Sequence, residues 1–294
     1  MALFACSVGR VRALEAKRLD LEKLWRAAPA DVWPQLAAAG YRQPDPQSDP
    51  GLDDWFEQER FLLYRLADQL LADTDYPLFY RLFADRDNLF LLARRESGLA
   101  VPDGFFSAAG RIPLPDLFAA WSGHGLFRLP PVLARALANA RRQVENGLAQ
   151  AEFCIEQGIF DLMRRAALPG SMLGRLAAFY TDRVNIRRFL TGGRLFLSGG
   201  LVPPEAYTEE NAPARVLFHY PELKRENLEP GARGLVGAAG GELETGLRQA
   251  LEKILAQARF ISYGPEPVIA YCCRRESEAA EIRRHLVAAA GGGN

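Results

Sequence analysis

Apolar residues recur at helical spacing along nearly the whole chain. Val11, Leu14, Leu21, Leu24 and Trp25 form one stripe, with Arg12, Glu15, Lys17, Arg18, Glu22 and Lys23 around it. Asp31 reads as the N-cap of a short helix that Gly40 ends. Phe56, Leu62, Leu63, Leu66 and Leu70 mark the next helix, and a further one runs from Tyr80 to Arg94. Leu173, Leu176, Tyr180 and Val184 make another stripe, followed by Leu243, Leu247, Leu251, Ile254 and Leu255. A last helix starts near Pro265-Glu266-Pro267, where proline in a first turn forfeits no hydrogen bond and an acid faces the positive end of the helix dipole. Runs of period two, rich in β-branched residues and bounded by turns, are essentially missing, so the pattern predicts an all-α protein.

One short pattern occurs three times on these helices. Asp85-Arg86-Asp87-Asn88-Leu89 is followed by Asp182-Arg183-Val184-Asn185-Ile186 and then by Glu278-Ala279-Ala280-Glu281-Ile282. In each, an acid stands three residues before Asn or Glu and an aliphatic residue follows. Asn88 and Asn185 are 97 positions apart, Asn185 and Glu281 are 96 apart, and a third of the 294 residues is 98. The links repeat as well: Gly110-Arg111-Ile112-Pro113 with Asp116 matches Gly199-Gly200-Leu201-Val202-Pro203 with Glu205, the grammar of a helix stop, an extended step and a new helix start. The expectation is three helical repeat domains, 1–108, 109–198 and 199–294, each closing on its motif helix. Gly40 to Gly51 reads as a surface loop inside the first.

Residues three apart share a helix face, so Asp85 with Asn88, Asp182 with Asn185 and Glu278 with Glu281 are candidate repeat positions. Two roles are open to them: three equivalent binding sites, or pairs that satisfy backbone groups where a motif helix meets a neighbour. The second is the simpler.

Charge narrows the function classes. Lys plus Arg and Asp plus Glu number 36 each, which leaves no net positive field to attract nucleic acid or an anionic membrane. Arg10, Arg12, Glu15 and Lys17 interrupt any apolar signal-peptide core, and no segment reaches the roughly 18–20 apolar residues that span a bilayer. The four cysteines, Cys6, Cys154, Cys272 and Cys273, make no C-x-x-C pair and read as reduced thiols packed in helices. The glycine-rich run Gly234 to Gly241 has neither the order nor the preceding strand of a dinucleotide-binding turn and reads as a link. His124, His219 and His285 lack partners at metal-ligand spacing, and Ser122 beside His124 has no nucleophile elbow. No catalytic, cofactor or metal residue is therefore expected.

Gly9-Arg10-Val11-Arg12-Ala13-Leu14-Glu15, the two Asp-Arg-x-Asn-[Leu/Ile] segments, and Gly264-Pro265-Glu266-Pro267-Val268-Ile269-Ala270-Tyr271 with Glu281-Ile282-Arg283 resemble, in the right order, the C-type subunits of V-type and A-type rotary ATPases, whose eukaryotic relatives are the d-type subunits. The chain departs from that pattern in Cys272-Cys273 and in Ala288 to Asn294, where family members continue into a longer basic segment. The resemblance implies three pseudo-threefold helical domains closed into a funnel. It also implies a non-catalytic place at the cytoplasmic face of the membrane, between a proteolipid rotor ring and the D and F proteins of the central stalk, in ATP-linked proton or sodium transport. Two other readings share the helical pattern: a helical-repeat adaptor, whose units are usually much shorter than a hundred residues, and an all-α enzyme with a carboxylate site.

Overall fold

The computed structural model describes residues 2–17, 19–27, 29–42, 52–71, 74, 76–125, 128–228 and 239–291. Among them are twelve α-helices and no strand, so the chain is all-α. Most of the Gly40–Gly51 loop, residues 234–238 of the glycine-rich run and the last three residues lie outside the described part. Contacts divide the chain into two compact units. One joins Met1–Tyr80 to Arg259–Asn294, and the other is Arg81–Ala258. The expected boundaries at 108/109 and 198/199 both fall inside the second.

The first unit contains α1 (Ala2–Glu15), α2 (Leu21–Trp25), α3 (Pro29–Ala38), α4 (Leu52–Leu70) and α12 (Glu266–Gly291). The stripe from Val11 to Trp25 is two helices, not one. Asp20 accepts a hydrogen bond from the Lys23 backbone N–H at 3.1 Å and so caps α2. Asp31 lies in the first turn of α3 instead of at its cap, where it still favours the helix dipole. Gly40, at φ 82°, closes α3 with two bonds, Gly40 N–H to Ala37 C=O at 2.9 Å and Tyr41 N–H to Leu36 C=O at 3.0 Å. This is the left-handed stop that glycine makes without strain. Beyond it Tyr41 turns into a core of Leu24, Leu36, Trp55, Ala279 and Ile282, in which the long α12 packs on α4. Helix α12 also packs on α1, and Arg274 pairs with Glu15 at 2.8 Å.

The second unit contains α5 (Arg81–Glu96), α6 (Leu114–Trp121), α7 (Pro131–Val144), α8 (Leu148–Ala166), α9 (Met172–Leu190), α10 (Ala212–His219) and α11 (Ala239–Ala256). Helix α8 is central. Ala151, Ile155, Ile159, Phe160 and Met163 are all fully buried along it, and it packs against α5, α7 and α9. Its contact with α7 is the most extensive, and α11 closes on α9. The first two motif pairs therefore sit on α5 and α9, either side of one buried helix.

Candidate functional site

The Asp/Asn pairs on α5 and α9 do the same thing in the same way. Asn88 donates from Nδ2 to the Ser107 carbonyl at 2.9 Å and accepts the Ser107 N–H on Oδ1 at 2.8 Å. Asn185 donates to the Leu197 carbonyl at 2.9 Å and accepts its N–H at 2.7 Å. Each amide thus satisfies both backbone groups of one loop residue. One helical turn earlier, Asp85 accepts the N–H groups of Arg111 and Ile112 at 3.1 Å each. Asp182 likewise accepts Leu201 N–H at 2.7 Å and Val202 N–H at 3.3 Å. The partners lie 19 and 26 residues ahead in the first copy and 12 and 19 ahead in the second, so the same clasp holds a link seven residues longer in the first.

The glycine of each link is required by distance. A Cβ on Gly110 would sit 2.3 Å from Asp85 Oδ1, and one on Gly200 would sit 1.9 Å from Asp182 Oδ1. All four motif side chains are buried, at 0–1% exposure, which is why their hydrogen bonds matter energetically. Burial lifts both carboxyls to about 6 against the backbone donors that favour ionisation, helped at Asp85 by Arg111 and Arg81 and at Asp182 by the Tyr220 and Tyr207 hydroxyls. The sequence pattern points to a neighbouring helix as the target; the partner is instead the Gly/Pro link that follows each motif helix, at bends in the chain.

The third pair is arranged differently. Glu278 on α12 is 7% exposed and accepts the Tyr41 hydroxyl at 2.6 Å and Arg275 at 3.1 Å, while Glu281 is half-buried. These partners of Glu278 are side chains, where Asp85 and Asp182 hold link backbone. It shares one feature with Asp182, which takes the Tyr220 hydroxyl at the same 2.6 Å.

Three carboxylates that the sequence pattern does not single out tie these elements together. Glu156, buried on α8, pairs with Arg188 of α9 and lies 4.0 Å from Arg86 of α5, so one carboxylate sits between cations from both motif helices. Burial pushes its carboxyl up and the two guanidinium groups pull it back. On the far side of α9, Glu244 of α11 takes Arg183 at 3.0 Å and Arg187 at 2.6 Å. In the first unit, Arg60 of α4 pairs with Glu276 of α12 at 3.2 Å, and Tyr64 donates to the same carboxylate. Arg275 lies flat on the Tyr41 ring, 3.3 Å from its centroid. Tyr41, Arg60, Arg275 and Glu276 edge a cleft of about 370 Å³ with apolar walls from Leu14, Phe56, Leu63 and Leu66, and Glu59 also lines it, its carboxyl raised by burial.

Cys272 and Cys273 are buried free thiols in α12, Cys6 is exposed and Cys154 half-buried. Ser122 and His124 are exposed at the end of α6, and His219 ends α10. Among the described residues, no three His, Cys, Asp or Glu side chains are grouped to hold a metal ion, and no helix is long and apolar enough to cross a membrane. The sequence matches no model of a known protein family. It also matches no curated protein.

Proposed function

We propose that this chain is a non-catalytic coupling component of a V/A-type rotary ATPase, seated between the membrane proteolipid ring and the D and F proteins of the central stalk. It would work at the cytoplasmic face without inserting into the bilayer, in ATP-linked transport of protons or sodium. The observation that carries this reading is the meeting of the N-terminal segment of the resemblance with its most specific one. Gly9–Glu15 lies on α1, Gly264–Tyr271 opens α12, and these helices pack together with a Glu15–Arg274 ion pair between residues 259 apart. The duplicated clasp on α5 and α9 supports it further, because a rotor coupling has to bear torque without winding up. Links held by four side-chain-to-backbone hydrogen bonds each are stiffer than free Gly/Pro linkers. In the full proposal three helical domains surround one axis as a funnel, and several weak contacts to the ring sum through effective concentration. A role in binding nucleic acid is not part of it, since the charges balance.

The test is depletion and add-back. In membranes lacking this chain, ATP-driven ion pumping should be lost while ATP hydrolysis by the soluble head continues, and the full-length chain should restore pumping. Pumping that persists without the chain would rule the coupling role out.

A further inference from the structure

The cleft of the first unit carries opposite charges along one wall. Its volume of about 370 Å³ is in the range of small-molecule sites, roughly 300–1,000 Å³. Glu59 of α4 is 9% exposed and forms no ion pair with any described residue. One of its carboxylate oxygens accepts the Arg42 backbone N–H at 2.7 Å. The other has no partner among the described residues and is not sealed from water. A carboxylate this buried is costly unless a cation or further donors satisfy it.

Arg275 of α12 stands at the same wall. Its guanidinium lies on the Tyr41 ring, 3.3 Å from the centroid, and Nη1 donates to Glu278 at 3.1 Å. Nη2 has no partner among the described residues and is likewise not sealed from water; a Cβ on Gly40 would lie 3.9 Å from it. Gly40, Tyr41 and Arg42 all line the cleft, so the charged ends of Arg275 and Glu59 both meet it along this one short stretch. Arg275 is near enough for its charge to favour an ionised Glu59, yet the two do not pair. The remaining charges of the cleft are engaged or outside: Arg60 takes Glu276 at 3.2 Å and Glu57 at 3.3 Å, and Arg42 is exposed.

A carboxylate and a guanidinium held close without touching fit a ligand that carries both charges itself. An α-amino acid does, with its ammonium and carboxylate on one carbon, and a planar guanidinium suits the second of these. Leu14, Phe56, Leu63 and Leu66 offer apolar wall to a side chain.

We propose that this cleft binds a free amino acid with an apolar side chain, its ammonium on Glu59, its carboxylate on Arg275 and its side chain against the leucines and Phe56. The site uses none of the clasp residues and stands or falls independently of the coupling role.

The test uses the full chain and L-phenylalanine as probe, followed by saturation-transfer difference NMR. Phenylpropionate, which lacks the ammonium, and phenylethylamine, which lacks the carboxylate, are its counterparts. L-Phenylalanine should bind saturably and more tightly than either. Glu59→Gln keeps the shape and the bond from Arg42 but not the charge, and should weaken binding about tenfold or more, as expected for loss of a charged hydrogen bond. Arg275→Lys keeps the charge beside Glu278 but loses the planar fork, should also weaken binding, and decides the matter if Glu59→Gln does not fold by circular dichroism. No saturable binding at tens of millimolar L-phenylalanine overturns the proposal, as does equal binding of either counterpart or undiminished binding by a folded variant.

Discussion

Replacing Asn185 by leucine separates a backbone-holding role from a surface-recognition role more cleanly than any other change. The side chain is fully buried, and so is Leu197, whose N–H and C=O it satisfies at 2.7 and 2.9 Å. Leucine keeps asparagine's branch point and number of heavy atoms but can neither donate nor accept, so the main effect is two backbone groups left unpaired away from water. At about 1–3 kcal/mol each, partly offset by the more apolar side chain, the expected loss is about 2–5 kcal/mol. Asn88→Leu removes the same two bonds, but Ser107 is only half-buried and water can replace part of what is lost, so the expected cost is about half as large. Urea and thermal unfolding followed by circular dichroism should therefore rank Asn185→Leu below Asn88→Leu below the parent. For a unit of this size the larger loss corresponds to a melting temperature lower by on the order of 10 °C. An Asn185→Leu chain as stable as the parent, or one less affected than Asn88→Leu, would refute the reasoning.

Three further outcomes follow from the same geometry. Gly200→Ala should cost at least about 2 kcal/mol in urea unfolding because its Cβ would collide with Asp182 Oδ1 at 1.9 Å, whereas Gly9→Ala, at an exposed position of α1 with nothing within 4 Å, should gain about 0.5–1 kcal/mol. Glu276→Gln removes the interhelical carboxylate of Arg60, whose side chain is 9% exposed but keeps Glu57 of its own helix at 3.3 Å, so denaturant unfolding should show a loss of about 1–2 kcal/mol in the first unit. Asp85 and Asp182 have folded-state values near 6 against an ordinary 3.8, so between those values the native state holds more protons than the unfolded chain. Their contribution to stability is complete below the ordinary value and is lost as pH rises to about 6. Unfolding midpoints across that window should fall more steeply with rising pH in the parent than in the Asp85→Asn, Asp182→Asn double variant, and parallel curves would contradict the assignment.

Much of this architecture was legible in the sequence. Period and caps mark α3, α4, α5, α9, α11 and the start of α12, because amphipathic stripes and residues such as Gly40 act locally, but the stripes read from the sequence leave out α7 and the central α8. The break between α1 and α2 was readable too, since Asp20 three residues before Lys23 is an N-cap signal, yet the apolar stripe ran across it and hid it. Spacing singled out Asp85, Asn88, Asp182 and Asn185 but not what they hold. A backbone N–H or C=O is the same in every residue, so Ser107 and Leu197 carry no mark of being clasped. Glu156 escapes notice for a related reason: one acid on an apolar face looks like a solvated position until α5 and α9 bring Arg86 and Arg188 to it. The joining of both chain ends in one unit depends on contacts such as Tyr41 with Glu278, 237 residues apart, for which local pattern holds no signal.

The central claim is that this chain couples a membrane ring to a rotating stalk. Its most direct test is a tagged pull-down from host membranes in mild detergent, with mass spectrometry of the proteins that accompany it. The account predicts proteolipid-ring and central-stalk proteins at fixed stoichiometry with this chain. Recovery of other proteins alone, with neither ring nor stalk, would contradict it.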